Sequence, residues 1–456
     1  MITRADIVER VGEWGLREDV VEKDYVLGWI LAGIGADVEL SDAWVFKGGT
    51  CLKKCYIETY RFSEDLDFTL LSHASRDPDE LLAVIKRMLD AVGDASGINF
   101  SAREPVVRIR PGGSSGQARI YYVGPRQSPS PARIKFDLSF DERVVKPPVL
   151  REISHPYPDS LAPVQQVRCY SFEEVFGEKL RAMGQRGRPR DLYDIINLFR
   201  RDDLGLRPAA IREVLIEKCH AKYVPVPTLE SVRAATTVGE LESEWENMLG
   251  HQLPVLPPFQ QFWDELTFLF EWLEGRREAA PLVSIPTGRD EQAAWSPPPT
   301  ISTWRSGVPL ETIRFAASNR LLVELGYRGS IRLIEPYSLR RTRDGNLILH
   351  ALRADNRQHR SYRVDMIESV RATTTPFRPV YAVEFSSRGS MAAPPTAQRS
   401  PGMVSSRRST PYAERQYTVQ CPRCQKKFRR KKRDVRLRPH KSPWGTPCSG
   451  RRGYLV

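Results

Sequence analysis

Asp65 and Asp67 stand two residues apart in residues 64–70, where Leu66, Phe68 and Leu70 alternate with polar positions. A strand here buries the apolar set and turns both carboxylates to the other face, where an adjacent pair can hold a divalent cation. Upstream, Gly48 and Gly49 precede Thr50 and an expected helix. A backbone without Cβ can turn sharply there, so that its N–H groups, the Thr50 hydroxyl and the helix start face a triphosphate. Two carboxylates supply too few oxygens for a pair of octahedral ions, so a third acid is needed if metals are to bridge an attacking and a leaving oxygen. Asp137 has the right setting, because in residues 133–140 Ile134, Phe136, Leu138 and Phe140 alternate with Lys135, Asp137 and Ser139. These residue types point to metal-assisted transfer of a nucleotide from an NTP.

The elements that must position them follow the same logic. Ser171 and Glu174 make a capping-box pattern, and Phe172, Val175, Phe176, Leu180 and Met183 form an apolar helical stripe with Lys179 at its edge. A lysine half covered by packing and aimed at a cleft can neutralise triphosphate charge. Arg186 and Arg190 come next, in a turn broken by glycine and proline. Asp191 then opens a second helix with Leu192, Ile195, Ile196 and Phe199 inward. Fifteen residues separate Gly49 from Asp65, room for an extra helical turn.

The run G-G-T…R-F-S-E-D-L-D-F, with E-K-D-Y at 22–25 before it and E-x3-E-K-L-R-A-M-x2-R-x3-R-D-L-Y-D at 174–194 after it, resembles the signature of AbiEii/AbiGii-type (MenT-like) nucleotidyltransferase toxins over roughly residues 1–275. The resemblance implies an α+β, polymerase-β-like domain with a helical C-terminal half. It assigns catalysis to Asp65, Asp67, Asp137 and Lys179, and nucleotide contacts to Gly48, Gly49, Thr50, Ser63, Lys179, Asp191 and Asp194. It further implies an NTP substrate, Mg²⁺ on the three aspartates as a pair of ions, RNA (tRNA 3′ ends) as acceptor, a toxin or phage-defence role and an antitoxin partner.

At 456 residues with 41% hydrophobic content, the chain is too long for one ordinary core. Composition divides it into a nucleotidyltransferase domain (1–278), a proline-rich linker (279–300), a middle domain (301–385), a disordered linker (386–416) and a basic module (417–456). The net charge is +13, of which residues 421–456 carry +12, so the tail is the part suited to RNA or another polyanion. Nothing at Met1 reads as a secretory signal. The longest apolar run, residues 25–34, falls far short of the ~20 residues of a membrane span, which predicts a cytoplasmic protein with no membrane partner. Cys51, Cys55, Cys169 and Cys219 lack disulfide-like spacing, and Cys51 and Cys55 suit small core positions.

In the middle domain, a short helix (310–319) precedes expected strands at 320–327, 330–335, 347–353, 361–364 and 381–385, a pattern for a small antiparallel barrel. Y-R-G-x-x-R-x-I-E-P, D-G-N-L-I-L-x-A and R-S-Y-R-V-D-M-I-x-S-V together resemble a WYL domain, a Sm/SH3-like barrel used as a ligand or nucleic-acid sensor. Leu347-Ile348-Leu349 replaces its naming triplet. By position, Tyr327, Arg328, Arg353, Arg357 and Arg363 are the candidate ligand contacts. In the tail, Cys421-x2-Cys424, then His440 after fifteen residues and Cys448 after seven more, is a ligand set for structural Zn²⁺. The module is too short and charged to fold on apolar burial alone. The zinc-finger-like knuckle would display the basic residues 426–439 to a phosphate backbone. A rival reading from another class is a nucleic-acid-binding regulator built on barrel and tail; a missing carboxylate would favour it, and all three are present. A third is a nucleotidyltransferase that modifies itself or another protein.

Overall fold

The computed structural model describes residues 1–57, 61–161, 165–201, 207–235, 238–276, 282–292, 310–385, 417–430, 435–442, 445–452 and 454–455. The chain forms two compact units, Met1–Pro394 and Pro395–Val456. The expected linker at 386–416 lies outside the described residues, as do 279–281 and 293–300 of the first linker, 301–309 of the middle domain and 431–434 of the basic loop.

The first unit opens with α1 (Arg4–Trp14), α2 (Glu18–Ala36) and α3 (Val38–Ala43). Strand β1 (Trp44–Lys47) runs into α4 (Gly48–Cys51), which widens to a π-helix over Leu52–Tyr56. This wider winding takes up part of the long stretch before Asp65. Strand β2 (Asp65–Leu70) and α5 (Pro78–Ser96) come next. They are followed by β3 (Val106–Ile109), β4 (Ser115–Tyr122), β5 (Ala132–Ser139), β6 (Val149–Glu152) and β7 (Gln166–Cys169). The seven strands form one mixed sheet in the order β3-β4-β5-β2-β1-β7-β6. Strand β2 is antiparallel to β1 and parallel to β5.

An aromatic layer pins the register of the central strands. Phe68 lies 5.2 Å from Trp44, 5.4 Å from Phe46 and 5.8 Å from Phe136, ring centre to ring centre. Side chains alternate across a strand, so a slip of one residue would bury the carboxylates in this layer and expose the rings.

The helical half comprises α6 (Phe172–Arg186), α7 (Pro189–Phe199), α8 (Pro208–Ala221), α9 (Leu229–Ala235), α10 (Val238–Leu249) and α11 (Phe259–Leu273). Ser171 caps α6 by accepting from the Glu174 N–H at 3.2 Å. The Glu174 side chain does not complete the box. Its carboxylate accepts from the Val145 and Lys146 N–H groups and pairs with Lys218 at 2.7 Å.

Helix α12 (Leu310–Ser318) leads into β8 (Leu321–Tyr327), β9 (Ser330–Arg341), β10 (Leu347–Arg353), β11 (His359–Arg363) and β12 (Ile367–Pro376). They form a separate antiparallel sheet in the order β11-β10-β9-β8-β12, whose edge strands are joined by a 3-10 turn over Val364–Met366. The fifth strand is therefore β12, not the expected 381–385, where Glu384 makes one isolated bridge to Ser338. Strand β12 escaped the alternation pattern because it is a largely exposed edge strand whose pairing with β8 shifts register twice. This sheet packs on the helical half: the Tyr193 hydroxyl donates to Asn319 at 2.9 Å, and Glu265 accepts from both Arg200 and Arg320.

In the second unit, β13 (Tyr417–Gln420) lies between β14 (Lys427–Arg430) and β17 (Tyr454–Leu455), with a small pair formed by β15 (His440–Lys441) and β16 (Pro447–Cys448). Among the described residues, no helix is long and apolar enough to cross a membrane.

Candidate active site

The sheet brings the three acidic residues to one face. Asp67 and Asp137 are direct partners across the parallel β2–β5 ladder, and Asp65 is the partner of Lys135. On the other side of β2, Lys47 is the partner of Asp67, and beyond β5 Gln117 is the partner of Asp137. One row across four strands thus reads Lys47, Asp67, Asp137, Gln117. Burial raises the Asp67 pKa to about 6, against the attraction of Lys47 and Lys179 and with help from Asp137. Burial also raises Asp65, as does repulsion from Asp137, while Lys135 works the other way. Such crowded carboxylates favour a neutralising cation, the chemistry expected of a metal-holding set. The Lys135 ammonium stands 2.5 Å from Asp137 Oδ2 and 4.0 Å from Asp65 Oδ2.

The diglycine bend lies against this cluster. Gly48 has φ +80°, and a Cβ there would overlap the Asp67 carboxylate. At Gly49 a Cβ would come within 2.6 Å of the Arg61 guanidinium and 3.3 Å of Ser63 Oγ, so Arg61 and Ser63 line the same turn. The Thr50 hydroxyl is committed elsewhere: it donates to the Asp65 carbonyl and ties the helix start to the first residue of β2. The E-K-D-Y segment braces the bend from behind. Lys54 on the π-turn donates to the buried Asp24 carboxylate at 2.8 Å, and Lys23 pairs with Glu64, next to Asp65, at 2.6 Å.

Lys179 reaches the cluster from α6. Its ammonium is 2.8 Å from Asp194 Oδ2 on α7, and Asp194 also accepts both arms of Arg61 at 2.7 and 2.9 Å. Asp194 is fully buried; burial alone would raise its pKa, but Arg61 and Lys179 hold it well below the ordinary carboxylate range. It therefore anchors two cations beside Gly49 and Asp67. Asp191, also fully buried, accepts both arms of Arg186 at 2.8 Å.

Sequence patterns missed several residues of the site. Lys47 is buried and pairs with Glu178 at 3.1 Å. Burial opposes ionisation of Glu178, yet Lys47, Lys218 and Arg181 bring its pKa down to about 2. Strand alternation places Lys135 on the polar face with Asp137, and carried one strand further it would have placed Lys47 there as well, since each lysine is in register with an aspartate. Arg61 and Arg190 open the R-F-S-E-D-L-D-F and R-D-L-Y-D runs, but no pattern gave either one a part in the site. Arg190 is half buried and donates to the Met248 carbonyl; burial and the nearby Arg61 lower its pKa.

In the five-stranded sheet, the arginines singled out by position are engaged locally: Arg353 with Asp355, Arg357 with Glu335 at 2.8 Å and Arg363 with Asp365 at 2.6 Å. Arg328 lies over the Tyr327 ring, and Tyr327 meets Tyr362 edge to face. Cys51, Cys55 and Cys169 are buried together in the core.

The second unit has its own cluster. The ligand atoms of Cys421, Cys424, His440 and Cys448 all lie within 4.8 Å of one another. Cys421 and Cys448 sulfurs are 3.8 Å apart, the edge of a tetrahedron with metal–sulfur bonds of about 2.3 Å. His440 Nε2 is 3.3 Å from Cys424 Sγ, and its Nδ1 is 2.9 Å from the Arg438 carbonyl, which orients the ring toward the sulfurs. A Cβ at Gly450 would intrude within 2.5 Å of Cys421 Sγ, so glycine leaves room for the thiols. Burial works against a thiolate at Cys421, but the backbone N–H groups of Cys424 and Arg423 lower its pKa to about 6. This donor set fits a soft or borderline tetrahedral cation such as Zn²⁺.

A model of the family described as nucleotidyl transferase AbiEii toxin, Type IV TA system, matches residues 29–265. Among solved structures, MenT4, a nucleotidyltransferase toxin from Mycobacterium tuberculosis, is 22% identical; the match covers 61% of this chain and 91% of that one, with a TM-score of 0.46. No curated protein matches the chain.

Proposed function

The chain belongs to the AbiEii family of nucleotidyltransferase toxins, and from that membership we propose that it transfers NMP from an NTP to a hydroxyl of RNA, with tRNA 3′ ends the first acceptor to test. The observation that carries this reading is the placement of Asp67 opposite Asp137, with Asp65 two residues along the same strand and Gly48 folded over Asp67. Asp65, Asp67 and Asp137 would hold Mg²⁺, which when bound supplies charge neutralisation at the attacking and leaving oxygens. The chain's own groups do the rest. Lys179, held by buried Asp194, and Arg61 beside Gly49 bind the triphosphate, and the bend at Gly48–Gly49 lets the phosphates approach the backbone. The carboxylate set accepts the proton of the acceptor hydroxyl, which attacks the α-phosphorus in line as pyrophosphate leaves.

The basic second unit supports RNA as acceptor, through phosphate contacts from residues such as Lys426, Lys427 and Arg436. Zn²⁺ held by Cys421, Cys424, His440 and Cys448 would supply the folding free energy that this unit's few apolar residues cannot. The arginine- and tyrosine-bearing sheet is the proposed ligand-sensing part. An antitoxin protein is the expected partner of a toxin in this family.

The test incubates the full chain with each α-labelled NTP, Mg²⁺ and total RNA, beside Asp65→Ala and Asp137→Ala. Label should enter RNA with the native chain and be lost with both variants. Incorporation that survives Asp65→Ala would remove the proposed site, and label in polypeptide rather than RNA would make the acceptor a protein.

A further inference from the structure

Three lysines face the carboxylates, and they are held differently. Lys47 is buried and fixed on Glu178; Lys179 has 11% of its side chain exposed and is fixed on Asp194. Both partners lie outside the carboxylate set of the proposed site, so neither lysine blocks it. Lys135 has 32% of its side chain exposed, and its partners are Asp137 and Asp65 themselves. It projects from the same face as all three acids, because its backbone is in register with that of Asp65 and it lies two residues before Asp137 on β5. The other polar neighbours of Asp137 stand at the outer limit of contact, Gln117 Nε2 at 3.4 Å and an Arg110 nitrogen at 4.0 Å. Lys135 is therefore the close counter-charge of Asp137, on a flexible stem with solvent at its side.

Building on the nucleotidyl-transfer reading, we propose that Lys135 is a resident cation that occupies the Asp65–Asp137 position until nucleotide arrives. A bare divalent ion must displace an ammonium already paired with the carboxylates it needs. A triphosphate changes the balance, because its oxygens offer the ammonium a new partner and draw it off Asp137. Metal uptake thus becomes coupled to NTP binding, and the ammonium returns to the carboxylates once pyrophosphate has left. Lys135 is in this sense a positioning residue: it decides when Asp65 and Asp137 are open.

The test measures Mn²⁺ binding to the full-length, Zn²⁺-supplemented chain by titration calorimetry, with and without α,β-methylene NTP analogues, using Asp137→Ala as the baseline. Without nucleotide, Lys135→Met should bind Mn²⁺ about tenfold more tightly than the native chain or better, and Lys135→Arg should stay native-like. Equal affinities for native and Lys135→Met chains would overturn the inference. The native chain gives a second check that needs no variant: its Mn²⁺ affinity should rise when analogue is added, and an affinity indifferent to analogue overturns the inference while leaving the metal site standing. A chain that takes up no Mn²⁺ under either condition would bring down both this inference and the functional reading beneath it.

Discussion

Replacing Asp67 with asparagine should stabilise the metal-free protein while abolishing activity. The Asp67 carboxyl has a pKa of about 6 in the folded chain against an ordinary 3.8, because burial and Asp137 outweigh Lys47 and Lys179. An elevation of about two pH units corresponds to about 3 kcal/mol of cost for keeping the ionised form at neutral pH. Asp67 retains some exposure and asparagine must find new hydrogen bonds, so about 2 kcal/mol is the expected gain, or about 2–3 °C in thermal midpoint for a unit as large as Met1–Pro394. The sign follows from proton counts. Between the ordinary and the folded pKa, the native state binds a proton that the unfolded chain has released, so this group's contribution to stability falls as pH rises from about 4 to about 6. The advantage of Asp67→Asn should therefore be full at pH 7.5 and vanish below about pH 4. Thermal and urea unfolding of both chains in chelator across pH 4–8 would measure it. Adding Mg²⁺ and an NTP analogue should then raise the native midpoint and leave the variant unmoved. A variant less stable than native at pH 7.5, or a difference indifferent to pH, would refute the placement of Asp67 in a crowded, cation-seeking cluster.

Gly48→Ala places a Cβ at φ +80° and onto the Asp67 carboxylate; a loss of about 1–2 kcal/mol from the backbone alone should accompany a fall in transfer of about a hundredfold or more, read by urea unfolding and label incorporation. Asp194→Asn removes the buried counter-charge shared by Arg61 and Lys179; unfolding should show a loss of about 3–5 kcal/mol, and a change within 1 kcal/mol (about the value of an exposed pair) would assign Asp194 a different role. Cys424→Ser or prolonged chelation should unfold the second unit, seen as loss of amide-exchange protection around residues 417–448, with protection in the first unit retained. RNA affinity of the native chain should fall steeply with salt, and that slope should flatten when Lys426, Lys427 and Arg436 are changed to alanine, by about one for each phosphate no longer neutralised.

The strands carrying the acids were legible because strict alternation of large apolar with polar residues admits one burial pattern; β2 and β5 lie within one residue of their expected bounds. Helices α6 and α7 were legible from the Ser171 cap and the apolar stripe. Strand β12 was not, since an exposed edge strand needs few apolar residues and bulges erase its period. Nor was the commitment of the Thr50 hydroxyl to the Asp65 carbonyl, a bond between residues fifteen positions apart that only the closed bend creates.

Residue type and spacing alone determined which side chains can carry the chemistry: a diglycine bend, acids on polar strand faces, a lysine on a helix edge and a set of soft ligands in the tail. Those are local properties, set by periodicity and by what each side chain can donate, accept or ligate. Only the tertiary structure decided who neutralises whom. Lys135 stands on Asp137, Lys47 is held by Glu178, and Asp194 ties Arg61 to Lys179 because strand order and helix packing bring distant charges within a few ångströms. Electrostatic energy depends on distance through space and on burial, and neither is written along the chain.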